Sequence, residues 1–133
     1  MWREETLRIP VRDGGPEEAA ARGGDADAVL VAQASIRESG EGLAALVLHP
    51  HPALGGSANN NVVHAMRGAL TAAPTPCCCV CCVNMRGVGG STGRVALRGT
   101  RDSSDAAQCI DHLLRREGVR GVIVVGYSWY VFR

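Results

Sequence analysis

Residues Val119 to Val125 read Val-Arg-Gly-Val-Ile-Val-Val, and no other stretch constrains the fold as tightly. A short β-branched run bounded by breakers reads as a strand buried on both faces, the pattern of a parallel strand in a layered α/β protein. It passes directly into Gly126-Tyr127-Ser128-Trp129. A buried strand that breaks on Gly-x-Ser prepares a sharp turn into a helix, which lifts a serine Oγ above the sheet. That turn also needs a second glycine two residues after the serine, and here the position is Tyr130.

The rest of the chain alternates strands and helices in a way that fits such a sheet. Thr6 to Val11 alternates apolar and polar residues, with Pro10 suited only to an edge or a strand end. Arg12 to Asp27 is rich in Gly, Ala and acidic residues, has no hydrophobic period, and reads as a long mobile loop. Ala28 to Ile36 and Leu43 to Leu48 read as the second and third strands. His49 to Ser57 is a loop dense in breakers. From Asn59 the period becomes helical, with Val62, Val63, Met66, Ala69, Leu70 and Ala73 on one face. Ser57 or one of Asn59 to Asn61 is the N-cap, and Pro74 stops the helix. Cys77 to Val83 is a fourth apolar run. A second helix is expected from Asp102 or Ser103 to Glu117, with Ala106, Cys109, Ile110, Leu113 and Leu114 as its stripe and Gly118 as its C′ residue. Strand, loop and helix recur with right-handed crossovers expected between parallel strands.

Length and charge narrow the class. At 133 residues the chain is one domain able to bury a core. Its net charge of +1, with scattered arginines and no lysine, favours neither nucleic acid nor a membrane surface as partner. No apolar stretch approaches the roughly 20 residues of a membrane span, and no signal peptide is visible behind Met1. A cytoplasmic location is expected, with a plastid also compatible.

His49-Pro50-His51-Pro52-Ala53-Leu54-Gly55-Gly56-Ser57 resembles the His-Pro-His-Pro loop of a branch of the α/β-hydrolase superfamily. Arg86-Gly87-Val88-Gly89-Gly90-Ser91 is similar to that branch's Arg-Gly-x-Gly-x-Ser loop. Gly99, Asp102, Asp105 and Ala106 match its acidic helix entry, and Gly126 to Trp129 match the first four positions of its nucleophile elbow. Order and spacing agree from Leu43 to Trp129, roughly two-thirds of the chain. The resemblance implies a three-layer α/β-hydrolase-type sheet, mostly parallel and truncated after the elbow strand. Residues 1–133 would be one partial domain, with a non-family tail at 130–133.

The resemblance also implies a chemistry: a serine hydrolase of ester, thioester or peptide bonds acting on a small acyl substrate. Ser128 takes the nucleophile position, and a histidine held by an acid would take its proton. Backbone N–H groups of Trp129 and of the loop after the third strand would hold the oxyanion. Pro50 and Pro52 have no N–H, so His51 is the expected donor, followed by Ala53 and Leu54. Gly126, His49, Gly55, Gly56, Arg86, Gly87 and Gly89 support the elbow and its loops, the histidine side chains bracing rather than reacting. No cofactor is implied.

Two local patterns invite other readings. Cys77 to Cys82 holds Cys-x-x-Cys twice, but strand alternation sends the thiols to opposite faces, so they belong to a core and no metal is expected. Gly87 to Gly93 resembles a nucleotide loop, yet Thr92 breaks the G-x-G-x-x-G spacing and the chain has no Walker lysine. A Rossmann-like nucleotide-binding or interaction module, or a non-catalytic remnant, is the competing class. A thermal shift with nucleotide separates these.

The family's acid and histidine follow the serine in chain order, and all four histidines here precede Ser128. Inactivity of these residues by themselves is therefore expected. Trp129-Tyr130-Val131 requires codons containing GTAYGT, close to a splice donor, so a coding sequence read into an intron is the expected origin of the tail. The apolar edge left on Val119–Val125 is expected to promote self-association.

Overall fold

In the computed structural model, residues 1–14, 26–38, 40–52, 56–72, 74–95 and 100–126 are described. They form strands β1 (Trp2–Val11), β2 (Ala28–Arg37) and β3 (Gly42–Leu48), helix α1 (Asn61–Thr71), strand β4 (Cys77–Val83), helix α2 (Thr100–Leu114) and strand β5 (Val119–Gly126). The five strands make one sheet in the order β1-β2-β4-β3-β5. β2 is antiparallel to both β1 and β4, while β3 pairs parallel with β4 and with β5. Four strands therefore run one way and β2 alone runs against them. No described helix is long and apolar enough to cross a membrane.

The pleat of the central strands sorts the core into two layers. Ala44, Leu46 and Leu48 of β3, with Cys79, Cys81 and Val83 of β4, pack on one face against Cys109 and Leu113 of α2. Ala45 and Val47, with Cys77, Val80 and Cys82, pack on the other face against Val63, Met66 and Leu70 of α1. A helix on each face covers strands that are apolar on both, so β3 and β4 read as continuous apolar runs. β1 starts at Trp2, four residues earlier than the Thr6 start expected, because its outward positions are polar and its pattern is visible only where Leu7, Ile9 and Val11 turn inward.

Helix α1 is capped by Asn60, whose Oδ1 accepts the Val62 N–H at 2.8 Å. Ser57 instead shapes the preceding turn by accepting the Asn59 N–H at 3.1 Å. The helix ends at Thr71, before Pro74, and Ala69 is exposed rather than part of the buried stripe.

Helix α2 ends at Leu114 rather than at Glu117. Two short turns, Arg116 N–H to Leu113 carbonyl and Val119 N–H to Arg116 carbonyl, follow it. Gly118, at φ +85°, then delivers the chain to β5, where its carbonyl accepts the Gly42 N–H at 2.9 Å. The reversal has to be complete by Val119, which already pairs with Gly42, so the last helical turn gives way.

β5 departs from full burial. Ile123 and Val124 are 38% and 47% exposed. As successive residues they face opposite sides of the sheet, and no described strand pairs with the outer edge of β5. Of the loop expected over 12–27, residues 15–25 lie outside the described ones. Its two ends are held together: the Asp13 N–H donates to Asp27 Oδ2 at 2.7 Å, and the Asp27 N–H donates to the Val11 carbonyl at 2.9 Å.

Candidate active site

Leu48 lies opposite Val83 on one side and Gly126 on the other, so β3, β4 and β5 end at one level. The segments that leave β3 and β4, from His49 and from Asn84, therefore start at the level of Gly126, where β5 ends. The carboxyl ends of parallel strands are where α/β sheets open a ligand crevice. Ser128, Trp129 and Gly55 lie outside the described residues, as do Ala53, Leu54, Gly99 and the tail at 130–133.

His49 is fully buried, and both ring nitrogens are engaged. Nε2 accepts the Met85 N–H at 3.0 Å, so Nδ1 carries the proton of the neutral ring and donates to the Pro50 carbonyl at 2.6 Å. Burial lowers its pKa, the Pro50 hydrogen bond works in the opposite direction, and His51 adds to the lowering. The ring thus ties the loop after β3 to the loop after β4, and its geometry is that of a brace. His51 is half-buried, and its carbonyl accepts the Gly56 N–H at 3.2 Å. Gly56 closes this turn because a Cβ there would stand 1.5 Å from the Pro50 carbonyl oxygen.

Asn84, buried directly after β4, has no role in the sequence reading but links three segments. Its Oδ1 accepts the Ala58 N–H at 2.9 Å, and its Nδ2 donates to the Val31 carbonyl at 3.1 Å. Its own carbonyl accepts from Ser91 Oγ at 2.6 Å, and that oxygen accepts the Val31 N–H at 2.7 Å. Gly89, at φ +56°, leaves room for the amide, since a Cβ would approach the Asn84 Cγ to 2.9 Å. Four of the loop's N–H groups have backbone partners: Gly87 donates to Thr92, Val88 to Met85 and Ser91 to Val88 within the loop, and Thr92 donates to Val29 of β2. They close a compact turn instead of converging on an anion.

Arg86, 5% exposed, makes a two-pronged contact with Asp105, which is fully buried. Nε donates to Oδ2 at 2.7 Å and Nη2 to Oδ1 at 3.0 Å. Nη1 meets the half-exposed Asp13 at 2.9 Å. Burial pushes the Asp105 carboxyl up, while the hydrogen bonds and charge of Arg86 hold it down. For Arg86, burial opposes the charge, and the two aspartates more than offset it. Arginine keeps its proton, so the pair is ionic and locks the loop after β4 onto α2. The signal was present in the sequence. Asp102 and Asp105 extend the Cys109–Leu113 stripe at helical spacing, and a carboxylate on a buried stripe requires a cationic partner.

The cysteines of β4 and α2 are buried and free. Burial raises Cys79 and Cys82 to about 11 and Cys109 to about 12, so at neutral pH these thiols hold their protons unless a stronger Lewis acid displaces them. Among the described residues, no cluster of three or more His, Cys, Asp or Glu side chains could hold a metal ion. A groove of about 490 Å³ lies at the opposite end of the sheet, between Arg3, Arg37, Glu41, Arg116 and Gly118, remote from the strand ends that His49 and Asn84 follow.

No protein-family model matches the chain, and no curated protein gives a significant match. Solved structures do. An α/β serine hydrolase homologue from Coxiella burnetii superposes with a TM-score of 0.69 at 24% identity, over 93% of this chain and 51% of that one. An α/β serine hydrolase without a lid, from Xanthomonas campestris, gives 0.72 at 21% identity, over 95% and 51%. A putative α/β hydrolase from Agrobacterium tumefaciens gives 0.67 at 21%, over 91% and 49%. The chain spans about half the length of these structures. By its strand order, its helix on each face and these superpositions, the chain has the α/β-hydrolase fold and matches the N-terminal half of it.

Proposed function

We propose that this chain is the nucleophile-bearing part of a serine hydrolase of ester, thioester or peptide bonds. The observation that carries the reading is the pairing of Gly126 with Leu48. It sets Gly126, the first residue of the Gly-x-Ser sequence, beside the strand end from which the His49–Ser57 loop leaves, and the reaction needs those two segments together. In this reading Ser128 Oγ attacks the acyl carbon of a small substrate and gives up its proton to a base. The tetrahedral oxyanion is held by the backbone N–H groups of His51 and Trp129, the leaving group departs, and water hydrolyses the acyl-serine. His49 sets the position of the loop and stays neutral and non-reactive.

In this reading none of the four histidines of residues 1–133 matches the family's base, which follows the serine in the chain. His49 has both nitrogens engaged, and the other histidines are His51, His64 and His112, each ahead of Ser128 in the chain. Losing triad members costs roughly 10⁴–10⁶ in rate. The test is fluorophosphonate labelling mapped by peptide mass spectrometry. Protein made from the native gene should be labelled at Ser128, and Ser128→Ala should abolish the label. The 133-residue polypeptide made alone should neither label nor turn over p-nitrophenyl esters. Native-gene protein that leaves Ser128 unlabelled would overturn the reading.

A further inference from the structure

Five of the seven residues of β4 are cysteines, and an uninterrupted pleat would send them alternately to the two faces. The pairing with β3 breaks this alternation once. Leu43 lies opposite Cys77 and Ala44 opposite Cys79, which leaves Cys78 as the extra residue of a β-bulge. Cys78 and Cys79 consequently both pack on the α2 side, while Cys77 and Cys82 pack on the α1 side. The strict alternation expected from sequence fails at this pair. Gly42 is what allows the strands to close here, because a Cβ on it would come within 2.2 Å of the Pro76 carbonyl oxygen.

The same two cysteines line the groove of about 490 Å³ at this end of the sheet, beside Arg3, Arg116 and Gly118. Cys78 Sγ points at the Gly118 carbonyl oxygen, 3.9 Å away, a long contact that a stronger partner can displace. Cys81 and Cys109, also on the α2 side, are fully buried and do not line this groove.

We propose that Cys78 and Cys79 form a two-thiolate site for a soft monovalent cation, copper(I), reached through this groove. Thiolates select copper(I) among the common metals, and it accepts coordination by two sulfurs. Zinc requires four ligands, and no third His, Cys, Asp or Glu joins the pair among the described residues. Binding is balanced in charge and protons: two thiols release two protons, one cation binds, and the complex carries one net negative charge. Burial disfavours the free Cys79 thiolate, and the charge of Arg116, which works in the opposite direction, partly offsets the charge of the complex.

The test is an anaerobic titration of the reduced chain with copper(I) against a chromogenic copper(I) chelator. One copper per chain should be withdrawn from the chelator. Cys78→Ser and Cys79→Ser should each weaken retention about tenfold or more, and the double variant Cys77→Ser/Cys82→Ser should retain copper as the parent does. Failure to compete with the chelator, or retention that survives Cys78→Ser or Cys79→Ser, overturns the proposal. X-ray absorption on the copper-loaded parent protein needs no variant to fold. Two sulfur neighbours are expected, and three or more would mean that a different cluster binds.

Discussion

Removing the Asp105 carboxylate of α2 should cost this fold more than any single polar change in the loop after β4. Asp105→Ala leaves Arg86, 5% exposed, with the half-exposed Asp13 as its only ionic partner among the described residues. A buried cation that loses its two-pronged acceptor destabilises a protein by about 3–5 kcal/mol. For a domain of this size that is on the order of 10–20 °C in Tm. Asp13→Ala breaks a contact to the same guanidinium, but from a side chain that is 50% exposed, so it should cost less than about 1 kcal/mol. The double variant Arg86→Met/Asp105→Leu removes both charges and should recover most of the Asp105→Ala loss, because apolar side chains of similar volume replace a buried pair without penalty. Urea unfolding read by pulse proteolysis at one fixed protein concentration measures all three. If Asp13→Ala costs as much as Asp105→Ala, or if the double variant is no better than the single, the pair is not the electrostatic lock described above.

Three further outcomes follow from the same geometry. Burial holds His49 neutral and lowers its pKa, whereas the unfolded chain protonates it below about 6.5; stability is therefore intact above that pH and falls as pH drops toward the folded value, by up to about 1.4 kcal/mol per pH unit. His112 shifts in the same direction through burial, then Arg116 and Arg115, so a flat stability profile between pH 7 and 5.5 would contradict both assignments. Gly56→Ala must displace the Pro50 carbonyl, which a Cβ would meet at 1.5 Å, and should lower stability by about 1–3 kcal/mol in chemical denaturation; an unchanged midpoint would mean the turn opens freely. Self-association through β5 should appear as oligomer in size-exclusion chromatography, and Val124→Lys should shift the chain toward monomer, since a charge on an edge strand blocks pairing; a parent protein that already elutes as a sharp monomer removes that expectation.

The elements themselves were legible in the sequence, because each rests on a local period. Alternation marked the inward residues of β1, continuous apolar runs marked β3 and β4, and helical spacing marked α1 and α2. The motif order likewise located the loops that the structure brings to one end of the sheet. What failed was set by neighbours. The end of α2 moved to Leu114 because Val119 must already pair with Gly42, and Ile123 and Val124 stayed exposed because burial of a strand depends on what lies beside it.

The active-site frame divides in the same way. The resemblance of two loops to the α/β-hydrolase branch picked out His49, Arg86 and the loop glycines, all within a few positions of a strand end. Their partners were not legible, since Met85 lies 36 residues from His49, Asp105 lies 19 from Arg86, and Ala58 lies 26 from Asn84. Only the tertiary structure decided which carboxylate meets which guanidinium, and which pair of cysteines turns to the same side. Hydrophobic period is a property of neighbouring residues, whereas hydrogen-bond partners and bulges are fixed by the register between strands that the chain brings together from far apart.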